Sequence, residues 1–132
     1  MFKEFSVRST RSEELIDITG EIQAIVSGTK CQNGICTVFT PHTTAAITIN
    51  ENADPSVVRD FLFGLSQIVP EKGYHHSEGN SPAHIKSSLV GCSEQILIDG
   101  GRLCLGTWQG IYLCEFDGPR HRQVFVKVIE AK

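Results

Sequence analysis

Three of this chain's five histidines fall in one polar, glycine-broken stretch, KGYHHSEGNSPAHIKSSL (residues 72–89), and a fourth, His42, stands in FTPHTTAA, where a strand runs out into a turn. Imidazole gains and loses a proton near neutral pH and ligates zinc-type ions, so histidines that meet in space can hold a metal or move a proton. Two loops and a helix start would have to deliver His42, His84 and one of His75 or His76 to a common point. Spacing alone leaves that open, because a His-x7-His pair is a weaker signal than HExxH and such residues serve equally as loop and capping groups. His121, between Arg120 and Arg122, reads as a polar residue at a strand end.

Acids and anion binders form a second set. In NENADP (50–55), Asp54 has the task of capping a helix, whereas Glu51 and Asn52 have no evident structural duty. In EFDGPRHR (115–122) a tight turn returns Glu115 and Asp117 toward Arg120 and Arg122, either as a salt-bridged turn or as a phosphate grip in which the acids orient a metal or a proton donor. The free amides of a helix starting at Ser81-Pro82, with Lys86 behind them, offer another anion site. The chain has no GxxxxGK[ST], no GxGxxG and no GxSxG, so the usual phosphate loops and the nucleophile elbow are excluded. Its five cysteines have no CxxC spacing and read as small buried thiols.

The elements that must position these groups belong to one domain, residues 1–132. At 132 residues, 40% hydrophobic and 20% charged, the chain supports a single core. A net charge of −3 provides no field for nucleic acid. No apolar run reaches the roughly 20 residues of a membrane span, and the start MFKEF has no signal-peptide pattern, so a cytoplasmic protein without membrane partners is expected.

Strands are expected over residues 2–10, 13–18, 35–40 and 45–50, and a helix capped by Thr19 and closed by Gly28. Asp54-Pro55 starts a second helix with Val58, Phe61, Leu62, Leu65 and Ile68 on one face, and a third runs from a Ser81 cap to Val90. The last third should be strands broken by Gly106, Gly110 and Asp117-Gly118-Pro119. Val124, Val126 and Val128 alternate with Phe125 and Ile129, so the last sheet has apolar residues on both faces and is suited to packing on other subunits.

The blocks FTPHTTAAITINENADP (39–55), YHHSEGNSPAHIKSSLVG (74–91) and LGTWQGIYLCEFDGPRHRQV (105–124) resemble the signature blocks of the YjbQ family, small proteins described as secondary thiamine-phosphate synthases. The resemblance implies an α+β homotrimer, a β-sandwich or barrel-like layering of sheets with three short helices, and a site near the subunit contacts. It places family histidines at His42, His76 and His84, as catalytic groups or metal ligands. Glu51, Asn52, Asp54, Asn80, Trp108, Gln109, Glu115, Asp117 and Arg120 also fall on family positions, without fixed roles. For the chemistry, Glu51, Glu115 and Asp117 are expected to be catalytic and Asn52, Asn80, Trp108, Gln109 and Arg120, with Lys86 from its place in the third helix, to bind substrate. The implied reaction couples hydroxymethylpyrimidine diphosphate with thiazole phosphate and releases pyrophosphate. A divalent metal is expected, either zinc-type at the histidines or magnesium with the diphosphate, whose oxygens suit it better. The alternatives are a metal-assisted hydrolase, with Glu51 or Glu115 moving the proton, and a non-catalytic trimeric ligand-binding protein.

Overall fold

The computed structural model describes all 132 residues as eight strands and three helices. The first and last strands, β1 (Phe2–Arg8) and β8 (His121–Glu130), pair with each other, and β3 (Asn33–Phe39), β5 (Ser93–Asp99) and β6 (Arg102–Leu103) extend a five-stranded sheet in the order β1-β8-β3-β5-β6. A second sheet holds β2 (Glu14–Asp17), β7 (Gln109–Glu115) and β4 (Ala45–Glu51) in the order β2-β7-β4. Every pairing is antiparallel.

Alternation decides what each sheet buries. Val124, Val126 and Val128 of β8, Cys36 and Val38 of β3, and Ile96 and Ile98 of β5 face the second sheet, which answers with Ala45, Ile47, Ile111 and Leu113. Helix α1 (Thr19–Thr29) adds Ile22 and Val26, one turn apart, to the same core, with Ile18 just before it. The opposite face of the second sheet presents Ala46 and Cys114 to helices α2 (Pro55–Ile68) and α3 (Ser81–Val90), where Ala83, Phe116, Phe61, Leu62 and Leu65 complete a smaller cluster. Sheet, core, sheet and helices therefore stack in layers, an α+β arrangement in which every residue of β7 from Gly110 to Glu115 is buried.

Several local expectations are corrected. Thr19 is inside α1, not its cap: its hydroxyl donates to Asp17 Oδ1 at 2.6 Å and accepts the Ile111 N–H at 2.8 Å, tying the helix start to β7. Gly28 lies within that helix, and Lys30 makes the left-handed turn that ends it, at φ 61°. Asp54 does cap α2, accepting from Ser56 N at 2.9 Å, but Ile68 of the expected stripe is exposed and Val69 is buried in its place. The cap position of α3 is held by Asn80, with Ser81 already helical. Strand β5 was not expected at all. Gly110 does not break β7, where it pairs with Asn50; a side chain there would clash with Asn52, whose Nδ2 lies only 2.6 Å from where a Cβ would project. Cys31, Cys36 and Cys114 are buried thiols as expected, while Cys92 and Cys104 are exposed.

On the outer face of the five-stranded sheet, Phe125 meets Phe2 edge-on at 5.4 Å and stacks on Phe39 at 6.1 Å, with Ile35, Leu97 and Ile129 exposed beside them. No helix is long and apolar enough to cross a membrane.

Candidate functional site

The two inner faces end in charge. The alternation that buries Val128, Val126 and Val124 arrives next at Arg122, and the one that buries Ile111 and Leu113 arrives at Glu115; both are almost fully buried, at 3% and 0% exposure. They pair. Arg122 Nε donates to Glu115 Oε1 at 2.8 Å and Arg122 Nη2 donates to Oε2, while the same Nη2 also donates to Thr44 Oγ1 at 2.8 Å and to its carbonyl at 3.1 Å. Glu115 accepts further bonds from the Ser9 hydroxyl at 2.7 Å and from Asp117 N at 2.9 Å. Burial alone would raise the Glu115 pKa, but the bonds from Arg122, Ser9 and Asp117 N outweigh it and hold the carboxyl below its ordinary 4.5. This plug closes one end of the core.

Over the plug opens a cleft of about 330 Å³ in which His42, His76 and His84 come together with Glu78, Asn80, Asp117, Arg120 and Arg122, and no hydrophobic side chain lines it. The three histidines expected to share a site all line this cleft. The rings of His76 and His84 meet edge to face, 5.5 Å apart, and His76 Nε2 lies 3.7 Å from Glu78 Oε1. His42 and His84 also line an adjoining cavity of about 470 Å³, together with Ser87, Ser88 and Cys92.

His42 is fixed by its backbone surroundings. Its Nε2 accepts the Gln123 N–H at 2.9 Å, so in the neutral ring the proton sits on Nδ1. Burial lowers its pKa from the ordinary 6.5, reinforced by Arg122 and Arg120 and opposed by Glu115. The ring is thereby held neutral, with one fixed donor. His42→Ala leaves the Gln123 N–H without its acceptor and is expected to cost about 1–3 kcal/mol. His42→Gln, whose side-chain oxygen can take the place of Nε2, should recover most of that loss in urea unfolding. Equal stability of the two variants would show that the bond contributes nothing.

Arg120 is half committed. Its Nε donates to the Asp117 carbonyl at 2.7 Å and its Nη2 to Asp117 Oδ2 at 3.1 Å, while Nη1 has no protein partner. Asn80 Nδ2 donates to the same Asp117 oxygen at 2.8 Å, and the buried Asn80 Oδ1 has no partner.

Other expected site residues lie elsewhere. Glu51, Asn52, Trp108 and Gln109 cluster at the far end of the second sheet, where Glu51 opposes Gln109 in register and Asn52 N donates to the Trp108 carbonyl at 2.9 Å. They are six residues along β4 from Ala45, roughly 20 Å of extended chain. Trp108 is 64% exposed there. Lys86 is 2% exposed and bonds Glu13 Oε2 at 2.5 Å in a separate cavity behind Asn80. The amides at the start of α3 do not face an open anion site either, since Ala83 N and His84 N both donate to the Asn80 carbonyl and Pro82 has none.

With every oxygen of Glu115 engaged and Glu51 distant, neither acid expected to move a proton is in place for it. A resident zinc at three histidines does not fit this arrangement: no three His, Cys, Asp or Glu side chains are gathered at ligating geometry, and the His42 Nε2 lone pair is occupied. Of the two sequence readings of Arg122, the ion pair with Glu115 is the one the structure shows, though buried rather than in a surface turn; its place two residues before Val124 on the inner face is the signal for that burial. Glu78 and Thr44 carried no signal.

A family model described as "UPF0047 protein YjbQ-like" matches residues 3–131. A UPF0047 protein of Methanocaldococcus jannaschii is 52% identical, covering 100% of this chain and 96% of that protein, and the UPF0047 protein YugU of Bacillus subtilis is 47% identical, covering 98% and 99%. Among solved structures, a YjbQ/UPF0047 family protein from Clostridium acetobutylicum superposes with a TM-score of 0.94 at 55% identity, covering 96% of this chain and 99% of that one. A YbjQ-like protein from Sulfolobus solfataricus superposes with a TM-score of 0.95 at 33% identity, covering 99% and 97%.

Proposed function

The chain belongs to the UPF0047 YjbQ-like family, and from that premise we propose that it is an enzyme acting on a phosphorylated small molecule, with the histidine cleft as its active site. One observation carries the reading: His42, His76, His84 and Arg120 converge on a cleft without apolar lining. Such a surface suits an anion and its protons rather than a hydrocarbon. The unpartnered Nη1 end of Arg120 and the Nδ1–H of His42 donate to phosphate oxygens. His84, edge to face with His76, gives a proton to the oxygen that leaves with the phosphate.

The finer form of this reading is the thiamine-phosphate coupling. There the methylene carbon of hydroxymethylpyrimidine diphosphate bonds to the thiazole nitrogen as its C–O bond to the diphosphate breaks, and pyrophosphate departs. Charge on that leaving group calls for a divalent ion, and magnesium arriving with the diphosphate suits the oxygens of Asp117 and Glu78 better than a zinc resident at the histidines. The rings need a flat wall that this cleft lacks. Trp108, at the opposite end of the sheet, supplies one only from a neighbouring copy. The apolar outer face of the five-stranded sheet, where Ile35, Leu97 and Ile129 are exposed beside Phe125, favours assembly, and the expected form is the homotrimer. Light scattering should give about three times the chain mass, and a stable monomer would remove the shared-site form. The activity test is release of pyrophosphate on mixing the two precursors. Release of phosphate from a single phosphoester would favour the hydrolase reading instead.

A further inference from the structure

We propose that Arg8, His121 and Arg120 form a second anion subsite, selective for a phosphate-type dianion, on the side of Arg120 away from the histidine cleft. A cavity of about 410 Å³ is lined there by Arg8, Ser9, Thr10, Pro119, Arg120 and His121, with no carboxylate among them. Strand register sets its two outer walls, because Arg8 and His121 stand directly opposite each other at the end of the β1–β8 pair.

The donors are oriented before any ligand arrives. Arg8 Nε and Nη2 both turn to His121 Nε2, at 3.2 and 2.6 Å, which requires that nitrogen to be unprotonated and puts the ring proton on Nδ1. Arg8 Nη1 has no protein partner, as with Arg120 Nη1. Two guanidinium groups are thus each held by one edge, leaving the other to bind, and a planar fork of this kind matches phosphate oxygens. No carboxylate pairs with Arg8. Glu14, six residues along the chain, is turned onto the amides of Thr10 and Arg11. Ser9, buried beneath, accepts from Arg120 N at 2.8 Å and fixes the spacing of the two arms.

Arg120 lines both cavities and its one free edge serves one anion at a time, so the subsite rests first on Arg8 and His121 and not on the reading of the histidine cleft. It is tested by titrating ¹⁵N-labelled protein with inorganic phosphate and following the side-chain resonances of Arg8 and His121 for this subsite and those of His76 and His84 for the cleft. A saturable shift at Arg8 and His121, absent with chloride at equal ionic strength and weakened at least tenfold by Arg8→Gln while His76 and His84 respond as before, is the expected result. No saturable shift at Arg8 and His121, the same shift with chloride, or an unchanged affinity in Arg8→Gln overturns the proposal. Silence at His76 and His84 with a response at Arg8 and His121 would count against the cleft and leave the subsite standing.

Discussion

Arg122→Ala is expected to destabilise the protein by about 3–5 kcal/mol, because it leaves the fully buried Glu115 carboxylate without its counter-charge. The loss should be visible as a lower urea midpoint with an unchanged slope. Arg122→Lys should recover only part of it, since an ammonium cannot reproduce the paired donors that reach both Glu115 oxygens and Thr44. Acid should act on the same plug. Glu115 has a native pKa below its ordinary 4.5, so as pH falls the unfolded chain takes up the proton first, and the stabilisation, full above 4.5, is lost as pH drops through the native value. His42, lowered from 6.5, works in the same direction at higher pH. Its contribution is present above 6.5 and disappears below it, again because the unfolded chain binds the proton first. Stability should therefore fall in two stages on acidification, the first missing in His42→Gln. An acid limb in Arg122→Ala identical to that of the wild type would show that the buried pair is not its source.

His84→Gln is expected to reduce turnover of the phosphorylated substrate by roughly 10²–10⁴-fold, the usual worth of a positioned proton donor, with little change in folding stability. Arg120→Ala should act differently. It removes a binder held in place by Asp117, so KM should rise more than kcat falls. The contrast separates proton transfer from anion binding, which a simple loss of activity in both variants would not. His76→Ala should lie between them, since His76 packs against His84 from a more exposed position. If His84→Gln changed KM alone, the ring would be a binding group and the proton would have to come from elsewhere.

Most of the architecture was legible because it rests on short-range rules. Alternation in β8 and the Asp54-Pro55 helix start are written in neighbouring residues. Where a long-range contact overrides a local signal, reading the chain fails. Gly110 stays within a strand through its pairing with Asn50, and its missing side chain leaves room for Asn52, while Thr19 gives up capping because its hydroxyl is needed by Ile111 N of β7. The candidate site divides in the same way. His76 and His84 are close in sequence, and motif blocks named His42 as their companion, so the cleft was anticipated. The motif blocks also gathered Glu51, Asn52, Trp108 and Gln109 into that site, yet a seven-residue strand separates its two ends by its own length, which a motif does not display. Glu115 and Arg122 were recognisable as neighbours, but not as buried, because burial depends on the facing sheet.

The central claim is that the histidine cleft acts on a phosphorylated small molecule by proton transfer from His84. Phosphorus NMR of wild type and His84→Gln, each given hydroxymethylpyrimidine diphosphate, thiazole phosphate and the two together with magnesium, tests it most directly. Pyrophosphate or phosphate should accumulate with the wild type and form at least a hundredfold more slowly with His84→Gln. Equal rates from the two proteins, or no product from the wild type in any mixture, would contradict the claim.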